Sequence, residues 1–211
     1  MKLGLRILSL SLLFLFGCFY ASAYAETEKV MVTQVSGSPE IIRQGKSIPA
    51  SVGMACQKED QLKTTSECSM DIAMNGMAGC RVLPSSECLI ADADQDSMQL
   101  KVNNGNVILN LEKLPQGSTF KVETPTAVAS VRGTQFWGRV DLQKAENPVT
   151  TFAVREGTVE IFAKSVNKHF TVEKGRALDI PKDASSVPSI RTALAGELQA
   201  MEQASSIKTT D

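Results

Sequence analysis

The sequence is poor in the residues on which most enzyme sites depend. It has one histidine, His169, and one tryptophan in 211 residues, and only 5% of its residues are aromatic. A Ser-His-Asp triad, a Cys-His pair or a histidine-based metal site would each need His169, which the pattern places in a solvated edge strand. The sequence also contains neither a glycine-rich phosphate loop nor a nucleophile elbow. We therefore predict a protein that is not an enzyme and that needs no cofactor.

Long apolar runs are also missing. The first one, residues 7–16, is shorter than the ~20 residues that a membrane-spanning helix needs. It follows Lys2 and Arg6 and precedes Ala23-Tyr24-Ala25, which is the pattern of a secretory signal peptide with an A-x-A cleavage site. We therefore predict a signal peptide at residues 1–25 and a mature protein in the periplasm or a secreted envelope compartment.

A second interpretation of the N-terminus is lipid attachment. Leu15-Phe16-Gly17-Cys18 has the leucine, small residue and cysteine of a lipoprotein cleavage box, although Phe16 is bulky where a small residue is expected. A lipid on Cys18 would make the protein a lipoprotein, and this is the one route to the membrane that the sequence offers.

The sequence also has no large excess of positive or negative charge. The 22 Lys and Arg residues face 23 Asp and Glu residues, for a net charge of −1. Cleavage of the signal peptide removes Lys2 and Arg6, which leaves 20 basic against 23 acidic residues, or −3. This balance gives no electrostatic reason to expect a nucleic-acid partner.

One acidic segment resembles the start of a calcium loop without completing it. Asp92, Asp94 and Asp96 alternate, but Ser97 stands where an EF-hand needs glycine and Asn103 where it needs the closing glutamate. We therefore interpret the segment as an acidic surface turn and predict no metal site.

Four cysteines remain after cleavage of the signal peptide: Cys56, Cys68, Cys80 and Cys88. An even number in an oxidising compartment predicts disulfides, and the absence of a C-x-x-C pair disfavours zinc. The sequence alone allows three connectivities. Because Thr65-Ser66-Glu67-Cys68 and Ser85-Ser86-Glu87-Cys88 are nearly identical, we predict that Cys68 pairs with Cys88 and, by elimination, Cys56 with Cys80.

The remaining pattern predicts an all-β domain at residues 26–183. Short alternating segments end at Gly, Pro or Asn, and the clearest hairpin is predicted at Asn104-Gly105, a type I′ turn sequence. Residues 184–211 are predicted as a linker and a C-terminal amphipathic helix. Ile190, Leu194, Leu198 and Met201 fall on one side of that helix, which we expect to cap an exposed sheet edge or to bind a partner.

The most distinctive segment is TPTAVASVRGTQFWGRV at residues 124–140, followed by TTFAVREGTVEIF at residues 150–162. TPTAVASVRGT followed by VREGTVEI resembles the core of the FecR domain, and a weaker likeness extends this to roughly residues 30–180. The four cysteines in the first half depart from the family's pattern.

This resemblance implies a β-solenoid-like or rolled stack of short strands. It also implies a non-catalytic envelope module that senses or scaffolds, bound to an envelope protein or a peptidoglycan-associated partner. A structural cell-envelope protein, anchored by lipid at Cys18, is the alternative.

Within the signature, five residues are candidates for recognition: Arg132, Gly133, Trp137, Glu156 and Gly157. Because Arg132 directly follows a buried strand, we expect it to form a buried ion pair with Glu123, Asp141 or Glu156, and contact with a ligand carboxylate is the alternative. Gly133 suggests a bulge and Glu156-Gly157 a turn. Trp137 is expected in the core or at its rim, with an apolar recognition surface as the alternative.

Overall fold

A computed structural model describes residues 30–94, 96–112, 114–142, 146–183, 187–202 and 204–209. Strands dominate these residues, which confirms the all-β prediction. In chain order they are β1 (Val30–Ser36), β2 (Glu40–Arg43), β3 (Lys46–Pro49), β4 (Ala55–Cys56), β5 (Gln61–Lys63), β6 (Ser69–Met74), β7 (Ala78–Val82), β8 (Glu87–Ala93), β9 (Ser97–Leu111), β10 (Thr119–Glu123), β11 (Ala127–Val131), β12 (Gln135–Asp141), β13 (Val149–Glu156), β14 (Thr158–Ala163), β15 (Lys168–Glu173), β16 (Arg176–Pro181) and β17 (Ile190–Thr192). One short helix, α1 (Ala195–Ala200), and a 3-10 turn, Ala204–Ser206, follow.

The strands pair into two sheets. Sheet A has the order β4-β1-β6-β7-β9-β12-β13-β16-β17. Sheet B has the order β3-β2-β5-β8-β9-β10-β11-β14-β15. Among the described strands only β9 and β10 pair in parallel. Because successive coils of a β-solenoid stack through parallel strands, the β-solenoid-like prediction is not confirmed.

Strand β9 belongs to both sheets. Its first part pairs with β8 and β10 in sheet B, and its second part pairs with β7 and β12 in sheet A. The crossing lies at Gly105, whose φ is +85° and where a Cβ would lie 2.3 Å from Ser86 Oγ. The hairpin predicted at Asn104-Gly105 is therefore wrong. A positive φ serves a type I′ turn, but here it bends one continuous strand from one sheet into the other.

The main core lies between the two sheets. One cluster contains inward side chains from both, among them Leu100 and Phe120 of sheet B and Leu109, Phe136 and Phe152 of sheet A. The rings of Phe136 and Phe152 pack with centroids 6.2 Å apart. Because successive side chains of a strand point to opposite faces, every second side chain of each strand lies in this layer. Short segments with period-two alternation can therefore form the core between the sheets.

The C-terminal region forms less helix than predicted. Ile190–Thr192 is strand β17, paired with β16, and among the described residues of this region only Ala195–Ala200 is α-helical. Leu194, predicted on the apolar side of the helix, instead precedes it and is 61% exposed. The amphipathic helix from residue 190 is therefore not confirmed. The division between a domain and a tail at residue 183 stays a prediction.

The residues after β17 cover the outer face of sheet A rather than a sheet edge. Met201, Ala204 and Ile207 are at most 1% exposed and form a second apolar cluster with outward side chains of the sheet, Ile108, Trp137, Ala153 and Ala177. Gly79 allows this contact, because a Cβ there would lie 2.3 Å from the Lys208 carbonyl oxygen. We call residues 193–209 the C-terminal cover.

Candidate functional site

Gly133 and Gly157 of the signature lie where two crossings of the chain between the sheets pack against each other. The chain leaves β11 in sheet B through Arg132 and Gly133 to reach β12 in sheet A, and it returns from β13 to β14 through Gly157. Gly157 has a φ of +79°, and a Cβ there would lie 2.7 Å from the Gly133 carbonyl oxygen and 2.6 Å from Thr134 Cγ2. Glu156 is exposed beside this contact. The structure thus gives Gly133 and Gly157 a packing role.

A chain of buried threonine hydroxyls explains the start of the signature. Thr126 Oγ1 donates to Thr150 Oγ1 at 2.7 Å, and Thr150 Oγ1 donates to Thr124 Oγ1 at 2.9 Å. The Ala127 backbone N–H also donates to Thr124 Oγ1, at 3.0 Å. This network ties the β10–β11 hairpin of sheet B to β13 of sheet A. Sequence reasoning missed it, although two threonines flanking a proline beside a buried strand were a visible signal.

Arg132 lies on the surface and forms no ion pair with any residue that the structure describes. The buried ion pair is therefore wrong. Alternation along β11 buries Ala127, Ala129 and Val131, so the next side chain emerges on the outer face of sheet B. One expected partner, Glu123, instead accepts hydrogen bonds from Gln99 Nε2 at 2.8 Å and Lys164 Nζ at 2.9 Å.

Arg132 lines a groove of about 380 Å³ on the open face of sheet B. We call this the β10–β11–β14 groove. Cross-strand register places Lys121 beside Ser130, and Ser130 beside Glu160. The lining consists of two cations, four hydroxyl side chains, one carboxylate and two core residues: Lys121, Arg132, Ser118, Thr119, Ser130, Thr158, Glu160, Phe120 and Val131.

The groove has the chemistry of a site for an anion that also carries polar groups. Neither Lys121 nor Arg132 is engaged by a carboxylate of the described residues, so both can contact a ligand. A guanidinium offers a carboxylate two parallel N–H donors, and an ammonium adds a point charge. Hydroxyls on neighbouring strands can accept or donate hydrogen bonds to the rest of such a ligand.

Trp137 lies away from this groove. It points out of sheet A under the C-terminal cover and is 8% exposed. Its neighbour Phe136 points the other way, into the main core. The indole is therefore part of the packing between sheet A and the cover, and the structure brings it together with none of the other signature candidates.

All four cysteines are buried, and their thiols are free. The predicted pairs are not formed. Cys56 in β4 and Cys80 in β7 are separated by β1 and β6. Three inter-strand steps of ~4.8 Å place them about 14 Å apart, beyond the ~7 Å between Cα atoms that a disulfide allows.

Cys68 also has a different environment from its predicted partner. Its Sγ accepts a hydrogen bond from the Thr65 backbone N–H at 3.0 Å in the turn before β6. Cys88 instead lies in the main core, which does not include Cys68. Burial raises the pKa of Cys56 and of Cys88 to about 12, so both thiols are protonated at neutral pH.

The described part of the chain contains neither a candidate metal-binding cluster nor a candidate membrane-spanning helix. No group of three or more His, Cys, Asp or Glu side chains there is arranged to hold a metal ion. No helix among these residues has the length and apolar character to cross a membrane.

Comparison with known proteins supports the resemblance that the signature carries. Residues 60–160 match the sequence model of the FecR protein family. The FecR resemblance is thereby confirmed for residues 60–160, which contain β5 to β13 and the start of β14. No curated protein matches the sequence.

Two solved structures share the fold. Both are crystal structures of a proposed anti-sigma factor from Parabacteroides distasonis ATCC 8503, at 2.50 and 1.65 Å resolution. Each aligns with a TM-score of 0.56 and 14% identity over 68% of this chain. The alignment spans 64% of the solved chain, less than two thirds of its length. At this identity the likeness concerns the fold alone.

Proposed function

We propose that the protein is an exported, non-catalytic FecR-like module that binds an anionic group of an envelope partner through the β10–β11–β14 groove. The observation that carries the proposal is the difference between the two outer faces. The C-terminal cover packs on the outer face of sheet A, whereas on sheet B Lys121 and Arg132 are exposed and have no carboxylate partner among the described residues.

Membership of the matched segment in the FecR pattern supports a regulatory role over an enzymatic one. The scarcity of histidine supports the same conclusion, because a Ser-His-Asp triad or a Cys-His pair would need His169, the single histidine of the sequence. The predicted signal peptide supports export, and the periplasm is the compartment we propose. The module would therefore sense or scaffold rather than convert a substrate.

The groove favours a carboxylate as the recognised group. Exposed ion pairs are each worth only ~0.2–1 kcal/mol, so binding would depend on several contacts together. Arg132 can supply a bidentate contact, Lys121 a second charge, and the side chains of Ser130 and Thr158 hydrogen bonds. Acidic segments of envelope proteins and the carboxylates of cell-wall peptides both present this chemistry.

A pull-down of envelope components with the mature protein tests the proposal. We compare the wild type with a Lys121→Ala/Arg132→Ala double variant, and use Lys46→Ala/Lys168→Ala as the charge-matched control because both lysines are exposed outside the groove. A component captured by the wild type and the control but lost in the groove variant supports the proposal. Capture that survives the groove variant and disappears on deletion of residues 189–211 contradicts it and assigns binding to the C-terminal region.

The alternative, a structural envelope protein anchored by lipid, is favoured by the Leu15-Phe16-Gly17-Cys18 box. Mass spectrometry of the mature N-terminus separates the two. A lipid-modified Cys18 supports anchoring, and a free Glu26 excludes it.

A further inference from the structure

Cys80 and Cys88 lie in consecutive strands, on either side of the point where the chain passes from sheet A to sheet B. Strand β7 lies in sheet A, strand β8 lies in sheet B, and only residues 83–86 connect them. Strand β9 makes the same passage beside them, with Leu109 opposite Cys80 and Val102 opposite Cys88. The two cysteines are therefore on equivalent sides of one common bend.

Hydrogen bonds fix this bend. The Leu83 backbone N–H donates to the Asn106 carbonyl oxygen at 3.0 Å, and the Asn106 N–H donates to Ser86 Oγ at 2.8 Å. Cys80 precedes Leu83 by three residues and Cys88 follows Ser86 by two. The two cysteines thus lie at similar distances along the chain from the bend, one in each sheet.

Both side chains point into the space between the sheets. Each is 0% exposed, and both belong to the main core cluster. The pKa of Cys80 is raised first by burial and then by the neighbouring Cys88, which is the electrostatic effect expected of two thiols close together. Neither of the originally predicted pairs has this arrangement.

We propose that Cys80 and Cys88 form an inter-sheet disulfide in the exported protein, while Cys56 and Cys68 remain thiols. The bond forms by thiol–disulfide exchange with an oxidised dithiol protein of the envelope. The two cysteines lose two protons and two electrons, one S–S bond forms through a mixed disulfide, and the donor's disulfide is reduced to two thiols.

Burial dictates when this exchange takes place. No donor reaches side chains that are 0% exposed, and the pKa of about 12 for Cys88 leaves almost no thiolate in the folded protein. The mixed disulfide with the donor therefore forms before the two sheets close, and closure of the sheets brings the second thiol to it. The presence of an oxidant rests on the export contained in the proposed function, whereas the choice of partners rests on the fold.

Fragmentation of the unreduced protein, alkylated after unfolding in denaturant so that buried thiols react, tests the pairing. Cyanogen bromide followed by trypsin places each cysteine in its own fragment, since cleavage occurs after Met54, Lys58, Lys63, Met70, Met77, Arg81 and Met98. The proposal expects fragment 78–81 linked to fragment 82–98, with fragments 55–58 and 64–70 alkylated. A link between 64–70 and 82–98, or between 55–58 and 78–81, overturns it.

Refolding of the reduced full chain with glutathione disulfide tests the Cys80–Cys88 pairing independently of whether the protein is exported to an oxidising compartment. If the 78–81 to 82–98 link forms in refolding but is absent from protein recovered from cells, export is wrong and the pairing stands. If it forms in neither, the pairing is wrong. Cys56→Ala should keep the link, and Cys80→Ala should leave Cys88 alkylated. An unchanged link pattern in Cys68→Ala excludes the original Cys68–Cys88 prediction.

Discussion

Replacement of Arg191 by methionine should release the C-terminal cover while leaving the two sheets folded. Arg191 in β17 lies between Asp179 of β16 and Glu197 of α1. Its guanidinium donates to Asp179 at 2.6 and 3.0 Å and to Glu197 at 2.6 and 2.9 Å. Glu197 also accepts the Leu194 backbone N–H at 2.7 Å. We call this set of contacts the Arg191 clamp.

The exposure of the partners sets the magnitude. The Asp179 side chain is 43% exposed, so its pair with Arg191 contributes at most ~1 kcal/mol. The Glu197 side chain is 9% exposed, and a carboxylate left without its partner when fully buried costs ~3–5 kcal/mol. Because water still reaches part of Glu197, we expect Arg191→Met to destabilise the docked cover by about 2–3 kcal/mol.

Trp137 supplies the assay, because it is the only tryptophan and it lies beneath the cover. In a denaturant titration its emission should shift to longer wavelength in Arg191→Met well before circular dichroism reports loss of the strands. Arg139→Met is the matched control, since Arg139 and Asp141 form a pair whose side chains are 42% and 29% exposed. An Arg191 variant whose Trp137 transition moves no further than that of the control would refute the reasoning.

Three other perturbations test the same account. Hydrogen bonds from Arg191 lower the pKa of the Glu197 carboxyl; at Asp179 burial raises the pKa, but the hydrogen bonds that the carboxylate accepts lower it by more. The Arg191 clamp should therefore keep its full strength above about pH 5 and lose it as the pH falls through these lowered pKa values. Trp137 emission in an acid titration measures this loss. Gly157→Ala should lower the free energy of unfolding, measured in urea, by roughly 3 kcal/mol or more. Gly45→Ala is the control: Gly45 has a similar φ but open space around it, so the loss should be only ~1 kcal/mol. Equal losses would contradict the packing role of Gly157. Thr150→Val should cost ~1–3 kcal/mol by removing the centre of the buried hydroxyl chain, and exposed Thr171→Val less than ~0.5 kcal/mol, both measured by thermal unfolding.

The local pattern was sufficient to predict the strands but not how they connect. Period-two alternation and turn residues predict an all-β chain, because each signal is contained in a segment of a few consecutive residues. Gly105 was misassigned because a hairpin turn and a strand bend need the same positive φ. The helix predicted from Ile190 rests on four apolar residues, which are too few to tell a short strand from a helix. Ile190 is in a strand because it pairs with β16, a segment that lies outside the predicted helix.

The candidate site was predictable only in part for the same reason. The signature carries the FecR resemblance and contains Arg132, but the exposure of Arg132 could not be predicted from it. That exposure arises because no described segment packs on this part of the outer face of sheet B. The cysteine repeat was misleading because Cys68 lies in a turn and Cys88 in a strand. Proximity across the core depends on which strands become neighbours, and no short segment contains that information.

The double membership of β9 bears on how the chain folds. Residues before it supply β7 and β8, residues after it supply β10 and β12, and none of these four strands has its full set of partners until β9 is in place. Such long-range pairing makes folding slow, and it couples both sheets into a single transition. The two sheets would thus stay open until residue 111 and the strands after it are available, and the fold would then close as one unit.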